Sequence, residues 1–165
     1  MAQAPSPSRP QAMLPQAASP QAVLFACGLN SVRSPMAAAV FRHMFGREAY
    51  VGSAGVRRGE LDPFAVAVME EIGLNIAKHN PMTFEELEDW EGLNFDLIVT
   101  LAPEAHHKAL ELTRTIAAEV EYWPTPDPTA TEGNRGQRLE SYRAVRDQLM
   151  RRIKERFAAP AGGNE

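Results

Sequence analysis

Cys27-Gly28-Leu29-Asn30-Ser31-Val32-Arg33-Ser34 lies between the apolar run Val23-Leu24-Phe25-Ala26 and the segment Pro35-Met36-Ala37-Ala38-Ala39-Val40-Phe41-Arg42-His43-Met44. A short, wholly apolar run has the character of a buried parallel strand. Ser34 and Pro35 read as the N-cap and first residue of a helix whose Met36, Val40, Phe41 and Met44 recur at core-facing spacing. The stretch is therefore a strand-to-helix loop that holds a thiol at the positive end of a helix. Such loops, with backbone N–H groups turned inward, bind tetrahedral oxyanions and favour a thiolate over a thiol. Gly28 and Asn30 are residue types that tolerate the left-handed backbone a concave loop needs. Arg33 can fold its planar fork back over an anion and donate two charge-assisted hydrogen bonds. Read this way, Cys27 is a nucleophile and Gly28, Leu29, Asn30, Ser31, Val32, Arg33 and Ser34 form its anion cradle. The same spacing also fits a buried cysteine that ends a strand beside a surface arginine. The helix start after the loop, together with the lack of any other cysteine, favours the cradle.

Strands and helices alternate from there on. Tyr50 to Ser53 reads as a second strand, followed by a loop over Ala54 to Leu61 with two glycines and two arginines. Asp62-Pro63 reads as N-cap and first residue of a helix that stops at Gly73. Leu74 to Met82 is a connector, and Thr83-Phe84-Glu85-Glu86 a capping box opening a short helix. Phe95 to Leu101 is a buried strand, Pro103 opens a helix to about Thr115, and Val120 to Trp123 is the fourth strand. The Pro- and Gly-rich segment Pro124 to Gln137 is a loop before a last helix from about Leu139. There Tyr142, Val145, Leu149, Ile153 and Phe157 fall on one stripe. This order predicts an α/β fold, a parallel sheet covered by helices on both faces, with ligands beyond the carboxyl ends of the strands.

With 165 residues, 44% of them apolar and 23% charged, the chain suits one ordinary globular domain. A net charge of −4 with no one-sided basic cluster argues against a nucleic-acid partner. No run approaches the roughly twenty apolar residues of a membrane span. A lone cysteine excludes an internal disulfide framework and fits a reducing cytoplasm. Residues 1–22 contain five Pro, six Ala and four Gln without a signal-peptide core, and are expected to be a disordered tail, a solvated leader or a regulatory arm. The domain is expected over 23–157, with a frayed tail over 158–165. His and carboxylates are scattered without ligand spacing, so no metal site is expected, and no cofactor.

The motif Val23-Leu24-Phe25-Ala26-Cys27-x-x-Asn30-x-x-Arg33-Ser34-Pro35-Met36-Ala37 resembles the opening of the low-molecular-weight protein tyrosine phosphatases, a fold shared with one class of thiol-dependent arsenate reductases. The resemblance continues through Ser53-Ala54-Gly55, Asp62-Pro63, His79, Phe95 to Thr100 and Asp127-Pro128. It implies a three-layer α/β/α architecture with a four-stranded parallel sheet in the order 2-1-3-4, and cysteine-dependent hydrolysis of phosphate monoesters. It also implies that Asp127 is the general acid. By its residues alone, Thr125-Pro126-Asp127-Pro128 reads equally as a turn or as a carboxyl held on a loop over the cradle. Asn30, Ser34, Ser53 and His79 match positions that brace the loop in this family; His79 alone reads as well as a surface histidine. Asp62-Pro63 is the competing acidic pair, better explained as a helix cap.

Three departures bear on specificity. Val32 stands where many family members have a second cysteine, so no protective disulfide can form within the loop. Val56-Arg57-Arg58-Gly59 and Thr129-Ala130-Thr131 stand where phosphotyrosine-specific members carry aromatics, so discrimination for a phenol ring should be weak. The arginines fit a small anionic or acidic substrate, or a merely solvated loop. Reductases that relay oxidation along their own chain need further cysteines, and this chain has none. Tyr142-Arg143-Ala144-Val145-Arg146-Asp147 resembles the last helix of that branch all the same. The expected partner is thus a phosphorylated protein or a small anionic phosphate ester. The alternatives are arsenate reduction with an external thiol or redoxin, and an oxyanion sensor without turnover.

Overall fold

The computed structural model describes residues 19–158. The expected tails over 1–22 and 158–165 fall almost wholly outside them. Strand β1 (Ala22–Cys27) leads through the Cys27 loop into α1 (Arg33–Phe45), then β2 (Tyr50–Gly55), α2 (Pro63–Glu70) and α3 (Phe84–Glu91). Next come β3 (Leu97–Thr100), α4 (Pro103–Leu112), β4 (Glu119–Tyr122), a 3-10 turn over Pro128–Ala130, and α5 (Arg135–Phe157). The strands form one parallel sheet in the order β2-β1-β3-β4, as the resemblance implied. Because the chain crosses from one side of β1 to the other, the loop after β1 sits at the topological switch point, where open α/β sheets bind ligands.

Alternation along β1 builds the two layers. Val23, Phe25 and Cys27 face a core shared with α1, α2 and α5, through Met36, Phe41, Val68, Met69, Leu149 and Ile153. Leu24 and Ala26 face Phe84, Ala105 and Ala109 of α3 and α4. Both faces of β1 are therefore buried, so a continuous apolar run forms it and the loop that follows is anchored on a rigid element. No described helix is long and apolar enough to cross a membrane.

Two boundaries differ from the sequence expectation. Helix α1 starts at Arg33, and Ser34 is not its N-cap; the cap position is Val32, with no side-chain capping bond. The Ser34 hydroxyl is engaged with the thiol instead. Helix α5 starts at Arg135 rather than near Leu139, because Asn134 and Gln137 form a reciprocal capping box. The expected caps of α2 and α3, Asp62 and Thr83, are both present. Asp62 also accepts a hydrogen bond from the Tyr142 hydroxyl at 2.6 Å, which ties α5 to the start of α2. Arg143 and Arg146 of α5 grip Glu71 just beyond α2, and this pairing holds the Glu71 carboxyl down at about 2.

Candidate active site

The Cys27 loop is held from outside by the segment that follows β2. Backbone N–H groups of Val56, Arg57, Gly59 and Asp62 donate to the carbonyls of Cys27, Gly28, Leu29 and Ser31 at 2.9–3.2 Å. The backbone N–H groups of residues 28–34 have no protein acceptor among the described residues. Carbonyls tied to one side and N–H groups left over on the other make an anion nest at the mouth of α1. Such close approach of two loops explains Gly55: a Cβ there would lie 2.8 Å from Asn30 N. Gly28, by contrast, does not take the left-handed conformation expected of it. A Cβ there would meet only the end of the flexible Glu104 side chain, at 3.2 Å, so a small shift of that carboxylate would make room for it.

Asn30 is the hub. Its backbone is left-handed, with φ +58°, the single non-glycine case among the described residues. It is fully buried. Its Nδ2 donates to Ser34 Oγ (2.8 Å) and Ser53 Oγ (3.0 Å). Its Oδ1 accepts from Met82 N (2.9 Å) and faces His79 Nε2 at 3.0 Å. Ser34 Oγ in turn lies 2.9 Å from Cys27 Sγ. Since the Asn30 amide already occupies a lone pair of this hydroxyl, its one proton can point at sulfur, with the Ala54 carbonyl at 3.5 Å as the more distant acceptor. The structure thus brings Asn30, Ser34, Ser53 and His79 into one hydrogen-bonded chain that ends on the thiol.

Burial pushes the half-buried His79 imidazole below its usual range, partly offset by its bond to the Asn30 backbone. The folded protein therefore keeps His79 neutral where the unfolded chain takes up a proton, near 6.5. Stability from this group is fully present above that value and is lost progressively as pH falls from it through the lower folded-state value. Urea midpoints should drop between about pH 7.5 and about pH 5.5, and the drop should be smaller in His79→Gln. Equal drops in both proteins would show that His79 does not contribute.

Cys27, Leu29, Ser31, Val32, Arg33, Asp127 and Thr129 line a cavity of about 40 Å³. This holds only a few water-sized groups, the scale of a small oxyanion. Cys27 is 2% exposed at its floor. Arg33 Nη1 donates to the Thr125 carbonyl at 2.9 Å, and Nη2 stands 3.9 Å from Asp127 Oδ2. Asp127 is half exposed and caps the 3-10 turn, its Oδ1 accepting from Thr129 N (3.0 Å) and Thr129 Oγ1 (2.7 Å). The turn and the carboxyl over the cradle are thus compatible readings of the same residue.

Arg57 and Arg58 do not stand free. They pair with Glu104 and Glu86, both exposed contacts of small worth. His106 hydrogen-bonds Thr100 at 3.0 Å and stacks on Tyr122. No group of three or more His, Cys, Asp or Glu among the described residues is placed to hold a metal ion. Sequence reasoning placed Thr129 only in the stretch where phosphotyrosine-specific relatives carry aromatics and missed its bonds to Asp127; it missed the part of Met82 in the site altogether. The signal for Thr129 was present, since an Asp two residues before it is an Asx-turn pattern; Met82 contributes only its backbone and leaves no trace in the sequence.

Comparisons with known proteins agree with this geometry. A family model described as low molecular weight phosphotyrosine protein phosphatase matches residues 22–159. An arsenate reductase of Bacillus subtilis is 32% identical over 134 residues, 81% of this chain and 92% of its own length. A glutaredoxin arsenate reductase of Synechocystis is 30% identical, covering 82% of this chain and 95% of its own. Among solved structures, an arsenate reductase in its phosphate-binding state superposes with a TM-score of 0.64 at 28% identity, over 84% of this chain and 97% of that one. A low molecular weight protein tyrosine phosphatase from T. tengcongensis gives 0.66 at 25% identity, over 82% and 96%. Phosphatases and reductases alike have this sheet, and the match spans β1 to the end of α5, so the chain belongs to the low molecular weight phosphotyrosine protein phosphatase family.

Proposed function

We propose that this protein is a cytoplasmic, cysteine-dependent phosphatase that hydrolyses phosphate monoesters through a thiophosphate on Cys27. The observation that supports it is the convergence of Cys27, Arg33 and Asp127 on one small cavity. In the first step Cys27 Sγ attacks phosphorus, the S–P bond forms and the ester P–O bond breaks. The Asp127 carboxyl proton passes to the departing oxygen. The N–H groups of residues 28–34 and the Arg33 fork meet the charge on the other oxygens. Water then attacks phosphorus, its proton returns to Asp127, and the S–P pair of electrons returns to Cys27. None of these steps calls on a metal or cofactor. Leu29 and Thr129 at the rim offer no flat wall to a phenol, so the substrate is a phosphorylated protein or small anionic ester recognised chiefly by its phosphoryl group.

Rapid quenching of the enzyme with radiolabelled phosphoryl substrate should trap label on the thiol of Cys27. Label on another residue, or turnover without any covalent species, would overturn the mechanism.

A second reading, arsenate reduction, is favoured by the identity with proteins named arsenate reductases. There Cys27 Sγ would displace water from arsenate, and an external thiol would attack that sulfur, forming an S–S bond and leaving the electron pair on arsenic as arsenite. With no other cysteine in the chain, a second external thiol must then free Cys27. Arsenite release that depends on added thiol or glutaredoxin, with no ester hydrolysis, would decide for this reading.

A further inference from the structure

Asp127 has two oxygens in different surroundings. Oδ1 faces two donors on one residue, the backbone N–H of Thr129 at 3.0 Å and its hydroxyl at 2.7 Å. Oδ2 faces the Arg33 fork, at 3.9 Å from Arg33 Nη2, and both residues line the cavity above Cys27. A carboxylic acid has one oxygen that only accepts and one that carries the proton. A proton on Oδ1 would confront the Thr129 N–H donor with another donor. We infer that Thr129 is a positioning residue for the general acid: by occupying Oδ1 with its N–H and O–H, it fixes the acid's proton on Oδ2, the oxygen that faces the Arg33 fork.

This rests on the phosphatase reading above. In the first step the Oδ2–H bond breaks and the leaving oxygen gains that proton as its bond to phosphorus opens. In the second, Oδ2 takes the proton from water. The arrangement is built into the chain locally. Pro128 fixes the backbone between the two residues, and the Thr129 backbone bond survives any side-chain change. The hydroxyl therefore sharpens an orientation the turn already favours. On the other side Ser141 donates to Thr131, at 2.7 Å, and so tethers the end of the turn to α5.

Removal of the hydroxyl should be felt where proton donation limits the rate. An ester with a poor leaving group, phenyl phosphate, needs the proton; one with a very good leaving group, dinitrophenyl phosphate, does not. Each would be assayed as kcat/KM, which reports the chemistry up to the first irreversible step. In Thr129→Val the ratio of dinitrophenyl to phenyl phosphate activity should rise roughly tenfold over wild type, and Thr129→Ser should restore it. Asp127→Asn, measured beside them, should raise the ratio further. If Asp127→Asn raises it and Thr129→Val leaves it at the wild-type value, the role of Thr129 is refuted while the acid stands. If neither variant moves the ratio, the acid assignment itself fails. A fall of both substrates by the same factor in Thr129→Val would mark damage to the turn and would also refute the proposal.

Discussion

Cys27→Ser should hydrolyse nitrophenyl phosphate at least about 10⁴-fold more slowly than wild type, while remaining folded and still binding oxyanions. The expected size of the loss follows from what surrounds the thiol. A serine hydroxyl becomes a useful nucleophile only beside a general base that can take its proton. The group nearest Sγ is another hydroxyl, Ser34 Oγ at 2.9 Å, which already receives the Asn30 amide. The one imidazole in the network, the half-buried His79, is directed at Asn30 and not at residue 27. Nothing there can rescue an oxygen nucleophile, whereas sulfur needs only to lose its own proton. The cradle is untouched by the change, because the N–H groups of residues 28–34 and the Arg33 side chain do not depend on the sulfur. Tungstate or phosphate should therefore still raise the melting temperature of the variant. Retention of a tenth or more of the wild-type rate would remove Cys27 from the chemistry. Loss of oxyanion protection together with turnover would instead say that the substitution had collapsed the loop.

The outline of this fold was legible because its signals are local. Val23 to Ala26 had to be a two-sided strand, Asp62-Pro63 and Thr83 to Glu86 had to open helices, and the α5 stripe had to be buried; each follows from spacing or cap chemistry within a few residues. The order of the strands was not legible in this way and came with the family resemblance. The errors lie where one residue had two possible partners. Ser34 has the composition of a cap, yet its hydroxyl serves the thiol, because the left-handed turn at Asn30 brings the amide to it. Arg57 and Arg58, by contrast, were left open between an anionic substrate and a solvated loop, and their partners, Glu104 and Glu86, come from α4 and α3 across 47 and 28 positions of sequence. The Asn134 capping box was a local signal and was overlooked inside a segment whose Pro and Gly content reads as loop. The brace of the Cys27 loop by residues 56–62 is made of backbone alone, so no side-chain pattern could have announced it.

Asn30→Ala should cost about 2–5 kcal/mol of stability and lower turnover by about a hundredfold even under conditions where the variant is folded. Two separate penalties combine. Alanine at φ +58° meets the steric cost of left-handed backbone, about 1–2 kcal/mol, which an asparagine partly escapes through its own hydrogen bonds. The Met82 N–H, donating to Asn30 Oδ1 at 2.9 Å, would then lack its acceptor in a part-buried place, at about 1–3 kcal/mol. Against a domain stability of about 5–15 kcal/mol these are large. The catalytic loss has a different origin. The Ser34 hydroxyl already has a second acceptor, the Ala54 carbonyl at 3.5 Å; without the Asn30 amide to hold its orientation, its proton can settle there and cease to point at Cys27. Asn30→Gly separates the two, since glycine accepts the left-handed turn freely but makes none of the bonds. It should be about 1 kcal/mol more stable than the alanine variant in urea, yet just as slow on nitrophenyl phosphate. Recovery of activity in the glycine variant would reduce the role of Asn30 to its backbone conformation. Wild-type stability and turnover in Asn30→Ala would show that the loop around Cys27 holds its shape without the network.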